Sequence, residues 1–212
     1  MRQTAARLSR QITLEVERKF RCTVESVKLL RANRGEPPFP ALLYLGCKTF
    51  SDTYFDQHKK LSSIGIYVRK RDGRWQAKVR QSGDYQNSTF EELAGKDEIG
   101  DLVARCTGRA SAHRVDFGLS QMAHFTTVRD KWRVNERFEV VLDSTNFGHM
   151  VGEVELQSVG EVDPVASSRA SDSMHAEIEA FMQKYSWAFP PGKADGKLSA
   201  YFAHKSSTES IT

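Results

Sequence analysis

Long hydrophobic runs and cysteine pairs are missing from this sequence of 212 residues, and proline and glycine are few. Because no run of about 18 apolar residues occurs, we expect no transmembrane helix and no membrane partner. The 6 prolines and 14 glycines are too few for a collagen-like or low-complexity chain. The widely spaced cysteines form neither a disulfide framework nor a zinc site, and they indicate a reducing, cytoplasmic location. They are Cys22, Cys47 and Cys106.

The common nucleotide-binding and hydrolase motifs are absent as well. There is no Gly-x-x-x-x-Gly-Lys-Ser/Thr loop, no Gly-x-Gly-x-x-Gly turn after a strand, no Gly-x-Ser-x-Gly elbow and no His-Glu-x-x-His helix. The 6 histidines show no spacing typical of metal ligands. The formal net charge of +4 permits an anionic partner, but it does not choose among nucleic acid, lipid and nucleotide.

The domain organisation follows from length and from the charge of the first residues. Residues 1–11 contain Arg2, Arg7 and Arg10 and no acidic residue. We interpret them as a basic tail, with a mitochondrial presequence as the weaker alternative. A single β-rich domain is expected over residues 12–205, and a short tail over residues 206–212.

Alternating apolar and polar residues predict strands over most of the chain. Residues 12–22 place Ile12, Leu14 and Val16 on one face of the first strand. A helix capped by Thr23 should follow and close near Gly35. Further helical segments are expected at 95–120, broken at Gly108 and Gly118, and after Pro164, and a short terminal segment is expected at 197–204. The other predicted strands are 42–45, 49–55, the two arms of a hairpin within 64–80, 124–134, 137–143 and 150–157. About eight strands with helices outside predict a β-rich α+β fold, built on one antiparallel sheet or barrel.

The hairpin within residues 64–80 has the clearest register. Asp72-Gly73 is a two-residue turn signal between two alternating runs. A turn there separates an apolar face from a cationic one, whereas a slip of one residue would mix them. With the turn at Asp72-Gly73, the cationic face pairs Arg71 with Arg74, Arg69 with Gln76 and Tyr67 with Lys78. The apolar face pairs Ile66 with Val79, Val68 with Ala77 and Lys70 with Trp75.

Charges of one sign share strand faces in a way that ordinary solvent faces rarely show. Glu15 and Glu17 alternate along the first strand, and Glu153 and Glu155 alternate along the last. Two other strands present rows of arginine and lysine. Like charges on one face repel unless an opposite charge lies between them. Paired carboxylates suit a hard divalent cation, and arginine suits phosphate oxygens. Either these faces are solvated, or a closed barrel turns them inward around a metal-bound polyphosphate.

The segment Glu15-Val16-Glu17-Arg18-Lys19 resembles the Glu-x-Glu-x-Lys motif of the CYTH superfamily, the triphosphate tunnel metalloenzymes. Further segments in the expected order extend the resemblance over residues 12–203. They are Asp52-Thr53-Tyr54-Phe55-Asp56, Arg69-Lys70-Arg71, Trp75-Gln76-Ala77-Lys78, Arg129 before Trp132, Leu142-Asp143, Phe147-Gly148, Val151-Gly152-Glu153-Val154-Glu155 and Gly196-Lys197-Leu198.

The resemblance implies an eight-stranded antiparallel tunnel and a set of site residues. In the thiamine-triphosphatase branch, Tyr54 and Lys78 would match a pair assigned to general-base work. Lys78 needs a lowered pKa for that role, and a crowd of cations around it would favour one. Tyr67 stands where close relatives place a tryptophan that stacks on the thiamine ring. The metal ligands would be Glu15, Glu17, Asp143, Glu153 and Glu155, and the triphosphate-binding cations Lys19, Arg69, Arg71, Arg129 and Lys197.

The resemblance implies a monomeric enzyme that hydrolyses thiamine triphosphate to thiamine diphosphate and phosphate. Mg²⁺ is the expected cofactor, with Mn²⁺ as the alternative, and a nucleic-acid partner is not expected. Three other functions stay open. An inorganic triphosphatase or a cyclase could use the same tunnel, because its motifs bind phosphates and not the organic group. A non-catalytic module that binds polyphosphate or RNA is the alternative outside enzymes.

Overall fold

A closed antiparallel barrel of eight strands forms the centre of the protein, in the order β1-β5-β4-β3-β2-β6-β7-β8. The computed structural model describes residues 11–108, 114–161 and 164–209. The predicted barrel with helices outside is therefore confirmed. The strands are β1 (Gln11–Phe20), β2 (Leu42–Asp56), β3 (Ile66–Arg71), β4 (Arg74–Gly83), β5 (Asn87–Ala94), β6 (Ser120–Val134), β7 (Phe138–Thr145) and β8 (Met150–Glu161). The helices are α1 (Val24–Ala32), α2 (Lys96–Thr107), α3 (Pro164–Lys184) and α4 (Lys197–Glu209).

The helix ends follow local signals in the sequence. The Thr23 hydroxyl accepts a hydrogen bond of 3.1 Å from the backbone N–H of Ser26 and caps α1 as predicted. Gly108 ends α2 with a φ of 69°, also as predicted. Asn33, with a φ of 50°, ends α1 before Gly35 is reached. In the described parts of the chain, no helix is long and apolar enough to cross a membrane.

The structure describes only parts of the two predicted tails. Residues 1–10, which make up most of the predicted basic tail, lie outside the described residues. Helix α4 continues to Glu209, so part of the segment that we assigned to a C-terminal tail is helical.

The hairpin of β3 and β4 has the predicted register. Tyr67 pairs with Lys78, and Val68 pairs with Ala77. The turn residues Asp72 and Gly73 have φ values of 47° and 78°. Two consecutive positive φ values match the twist of a two-residue hairpin, and glycine adopts such a value without steric cost.

Two strand predictions were wrong, although the total of eight was right. Segments 42–45 and 49–55 form one strand, β2, because Gly46 does not break it. Gly46 has a φ of 108°, and the register with β6 shifts beside it, so the glycine forms a β-bulge. The whole of β5 was missed. Its inward side chains include Glu92, which hides the apolar alternation that reveals a half-buried strand.

Two hydrophobic clusters pack against the outside of the barrel wall. Helix α3 covers one side of the barrel, and its Ile178 belongs to one buried cluster with Val16 of β1 and with Tyr185, which directly follows the helix. Helix α2 covers β3, β4 and β5 through Ile99, which packs in one cluster with Val68. Since the outward residues of each strand fill these two cores, the alternate residues must face the interior of the barrel.

Asp56, at the end of β2, holds the turn that follows it. Its carboxylate is 4% exposed and accepts backbone hydrogen bonds from Gln57 at 2.6 Å, Leu61 at 2.9 Å and Ser62 at 3.0 Å. We expect Asp56→Ala to lower the free energy of unfolding by about 2 kcal/mol at pH 7, measured by urea titration.

The pH dependence of this loss checks its origin. Burial opposes ionisation, but the hydrogen bonds hold the pKa of Asp56 below its ordinary value of 3.8. The contribution is therefore complete above about pH 3.8 and disappears as the pH falls through the folded-state pKa. The difference between Asp56→Ala and the wild type should shrink towards zero in acid. A difference of the same size at about pH 2.5 would show that the carboxylate charge is not its cause.

Candidate active site

A cavity of about 300 Å³ occupies the barrel interior. Every predicted site residue lines it except Asp143. The alternative that the charged strand faces are solvated is wrong for β1, because Glu15 is 3% exposed, Glu17 3% and Lys19 8%. The residues brought together are Glu15, Glu17, Lys19, Tyr54, Tyr67, Arg69, Arg71, Lys78, Arg129, Glu153, Glu155 and Lys197.

The carboxylates of β1 and β8 contact cations from other strands. The Lys78 ammonium donates to Glu17 at 3.1 Å and also to Glu15. The Lys19 ammonium contacts Glu17 and lies 3.6 Å from a Glu153 oxygen. The like charges on β1 and β8 are therefore separated by opposite charges, which come from Lys19 of β1 itself and from Lys78 of β4, a strand that does not pair with β1.

Asp143 joins two of the predicted phosphate-binding cations. Its carboxylate is fully buried and accepts two hydrogen bonds from the Arg129 guanidinium, at 2.6 and 2.7 Å. The Lys197 ammonium, from the start of α4, donates to the same carboxylate. Asp143 thus positions Arg129 and Lys197, and it has less access to a metal in the cavity than the other four carboxylates.

A second buried carboxylate, Asp52 of β2, orients the cations of β3. Arg71 donates two hydrogen bonds of 2.8 Å to it, in the bidentate geometry that arginine favours. Arg69 lies 3.8 Å from Asp52 and donates to the Tyr54 hydroxyl at 3.3 Å. Asp52 belongs to the segment Asp52-Thr53-Tyr54-Phe55-Asp56, but no role was predicted for it from the sequence.

The surroundings predicted for Lys78 were wrong. Carboxylates surround its ammonium, and the crowd of cations that would lower its pKa is not found. Burial favours the neutral amine, but Glu15, Glu17 and Glu92 outweigh burial and hold the pKa of Lys78 well above its usual value. Tyr54 contacts Arg69 and not Lys78, so the expected tyrosine–lysine pair is not formed. A protonated lysine can bind phosphate but cannot accept a proton as a general base.

The carboxylates that line the cavity repel one another. Burial, followed by the charges of Glu17 and Glu92, raises the pKa of Glu15 to about 7 against the attraction of Lys78. Burial and the charge of Glu15 raise the pKa of Glu155 well above its usual value. A divalent cation would relieve this repulsion, and carboxylate oxygens are the ligands that Mg²⁺ prefers. The donor chemistry therefore fits Mg²⁺, although among the described residues no three side chains form a preassembled metal site.

Sequence reasoning missed several residues of the cavity. Glu92 lies 3.5 Å from the Lys78 ammonium, but it belongs to the strand that was not predicted. Arg80, Tyr85 and Phe90 group around Tyr67 where β4 ends. The predicted register could have placed Arg80 on the cationic face, since it lies two residues beyond Lys78. Tyr85 lies in a loop, where no alternation could have identified it.

Three comparisons connect this architecture to known proteins. Human thiamine-triphosphatase is 23% identical over 203 residues, which cover 81% of this chain and 85% of that protein. The structure of the PH1819 protein from Pyrococcus horikoshii OT3 has a TM-score of 0.54 at 14% identity, covering 89% of this chain and 98% of that one. The structure of HpAC1 from Hippeastrum has a TM-score of 0.54 at 16% identity, covering 92% and 96%. HpAC1 is described as a putative adenylyl cyclase with a dominant triphosphatase activity.

At these identities the two structures show a shared fold and no more. The model of the CYTH domain, by contrast, matches residues 13–170, which include seven of the eight strands in full and most of β1. We conclude that the chain belongs to the CYTH domain family.

Proposed function

We propose that this protein hydrolyses a triphosphate inside the barrel with the help of a divalent cation. The observation that supports the proposal is the joint presence of buried cations and buried carboxylates around one cavity of about 300 Å³. A site built to bind an anion alone would need no row of glutamates, because carboxylates repel phosphate. The described triphosphatase activity of HpAC1 and the name of the human relative point in the same direction.

In this proposal the arginines and lysines of the wall bind the phosphate chain. Arg71 and Arg129 are each held by a buried carboxylate, Asp52 and Asp143. These ion pairs fix the direction of both guanidinium groups before a ligand arrives, which lowers the entropy that binding costs. Lys78 contributes a protonated ammonium, and we do not propose it as a base. In phosphoryl transfer, positioning and neutralisation of charge account for most of the catalysis.

Glu15, Glu17, Glu153 and Glu155 are the residues that we propose to hold the metal. A bound Mg²⁺, or Mn²⁺ as the alternative, neutralises negative charge on phosphate oxygens. When the triphosphate enters, Lys19 and Lys78 can exchange their carboxylate partners for phosphate oxygens. That exchange leaves the glutamates free to bind the metal, so the ion pairs of the described structure are compatible with both ligands.

Thiamine triphosphate is the organic substrate that we propose first. Its support is the relationship to human thiamine-triphosphatase and the position of Tyr67 in the cavity wall, across from Lys78. Inorganic triphosphate is the second candidate, because the Arg80 guanidinium lies against the aromatic residues that would have to receive a thiamine ring. Measuring kcat/KM for thiamine triphosphate, tripolyphosphate and ATP tests the proposal. Phosphate release from none of them would contradict it.

Replacing Tyr67 tests whether its ring contacts the organic group. Stacking contributes about 0.5–1.5 kcal/mol beyond the burial of area. We therefore expect Tyr67→Ala to lower kcat/KM for thiamine triphosphate about three- to tenfold more than kcat/KM for tripolyphosphate, which has no ring. Tyr67→Trp should preserve or increase turnover of thiamine triphosphate. An equal loss on both substrates would show that Tyr67 only supports the tunnel wall.

A further inference from the structure

Arg80 lies among three aromatic rings at one end of the cavity. Its guanidinium carbon is 4.9 Å from the ring centroid of Tyr85, 5.3 Å from that of Phe90 and 6.0 Å from that of Tyr67. The rings of Tyr67 and Phe90 meet edge to face, with centroids 6.1 Å apart. The π faces of aromatic rings attract cations at such distances. Arg80 thus occupies the electrostatic position that a cationic ligand group would take.

Local contacts hold the guanidinium in this place. It donates to the Tyr67 hydroxyl at 3.2 Å and to the backbone carbonyl of Asp84. The start of the side chain passes so close to Gly65 that a Cβ there would lie 2.8 Å from the Cβ of Arg80. The Asp84 carboxylate accepts backbone hydrogen bonds of 2.8 and 2.7 Å and so orders the loop that carries Tyr85. Arg80 is therefore held on several sides and is not a freely solvated side chain.

The aromatic group lies at the end of the barrel where α4 begins. Gln86, in the Tyr85 loop, donates to the carbonyl of Gly192, shortly before Lys197 enters the cavity. Because neighbouring strands are antiparallel, the end of β4 and the end of β6 lie at opposite ends of the barrel. Lys131, near the end of β6, lines the same cavity far from these rings. Arg80 and Lys131 are therefore cavity cations at opposite ends of the barrel. Lys78 also lies 5.2 Å from the Phe90 ring centroid, but Arg80 is the cation that contacts all three rings.

We propose that Arg80 determines the substrate preference of the tunnel through the charge of the organic group that the triphosphate carries. This inference rests on the proposed function. A cationic ring such as the thiazolium of thiamine must displace Arg80 from the aromatic faces and also meets its positive charge. Inorganic triphosphate carries no ring and meets neither cost. The aromatic rings alone would favour thiamine triphosphate over tripolyphosphate. Arg80 lowers that preference, which is the ratio of the two kcat/KM values.

The test compares two variants of Arg80 with a matched control. Arg80→Met keeps an unbranched apolar chain and removes the charge, whereas Arg80→Lys keeps the charge. Lys131→Met removes a cavity cation at the opposite end. The quantity measured is kcat/KM for thiamine triphosphate divided by kcat/KM for tripolyphosphate. We expect Arg80→Met to raise this ratio about three- to thirtyfold, the range that cation–π contacts span from exposed to desolvated sites. Arg80→Lys should stay near the wild type.

The control variant distinguishes the effect of removing any cavity charge from the effect of removing the charge that contacts the aromatic rings. Lys131→Met should change kcat/KM for both substrates by the same factor and leave their ratio unchanged. If Arg80→Met also changes kcat/KM for both substrates by the same factor, Arg80 binds phosphate and the inference is wrong. If the wild type hydrolyses neither substrate, the proposed function fails instead. The ratio of the two Kd values, measured by calorimetry on the same variants, then decides the role of Arg80, and thermal melts confirm that each variant is folded.

Discussion

Replacing Glu153 by glutamine is expected to lower kcat/KM for triphosphate hydrolysis at least about tenfold, the lower end of the range for disturbed metal coordination. Glu153 is buried in the tunnel wall and lies 3.6 Å from Lys19 and 3.3 Å from Arg129. Burial opposes its ionisation, but Lys197, Lys19 and Arg129 hold its pKa well below the usual value, so the carboxylate is ionised at neutral pH. Glutamine keeps the size of the side chain and removes that charge. Phosphate release at saturating Mg²⁺ measures the effect.

Glu139→Gln is the matched control for this prediction. Glu139 lines the same cavity and lies opposite Glu155 in the strand register, but its own partners are Lys131 at 2.5 Å and Arg133 at 3.3 Å, which are not among the proposed phosphate-binding cations. The same chemical change should therefore lower kcat/KM less than about threefold, as expected for a residue without a direct role. Full activity of Glu153→Gln would remove Glu153 from the site, and equal losses in both variants would point to a general effect of cavity charge.

The second large effect is expected at Asp143 and concerns stability. Asp143→Asn leaves the Arg129 and Lys197 cations in the wall without the carboxylate that both contact. Removing one partner of a buried ion pair costs about 3–5 kcal/mol, because the remaining charge loses its compensation. Arg129 keeps Glu153 at 3.3 Å, so the lower end of that range applies here. We expect a loss of that size in the free energy of unfolding, measured by urea titration at pH 7.

An exposed ion pair provides the comparison. Asp130 contacts Arg31 at 2.5 Å, but the Arg31 side chain is 56% exposed. Exposed pairs contribute about 0–1 kcal/mol, so Asp130→Asn should change stability by no more than that. If Asp143→Asn costs as little as Asp130→Asn, the Asp143 cluster is solvated in solution and does not position the two cations.

The sequence predicted most about the fold where local chemistry determines local structure. The hairpin register followed from Asp72-Gly73, because a turn with two positive φ values leaves one way to sort the apolar and cationic faces. Strand β5 was not predicted because its inward side chains include the charged Glu92 as well as the aromatic Phe90, in a barrel with a charged interior. The usual rule of apolar inside and polar outside is reversed there, and only the packing of α2 and α3 against the wall reveals it.

Within the site, the sequence predicted which side chains face the cavity but not which of them pair. Lys78 and Glu15 are 63 residues apart, and β1 pairs with β5 rather than with the hairpin. No local sequence pattern indicates the contact between Lys78 and Glu15. Lys78 was therefore expected among cations, whereas the structure places it among carboxylates. The same limit applies to Arg80, whose aromatic neighbours come from β3, β5 and the Tyr85 loop.

The central claim is that the inward charges act together on a triphosphate and a divalent cation. Phosphate release from tripolyphosphate by the wild type, measured as Mg²⁺ is titrated from zero in metal-free buffer, tests it most directly. We expect release to rise to saturation with Mg²⁺, to disappear in EDTA and to return when Mg²⁺ is added in excess. Undiminished release in EDTA, or no release at any Mg²⁺ concentration, would contradict it.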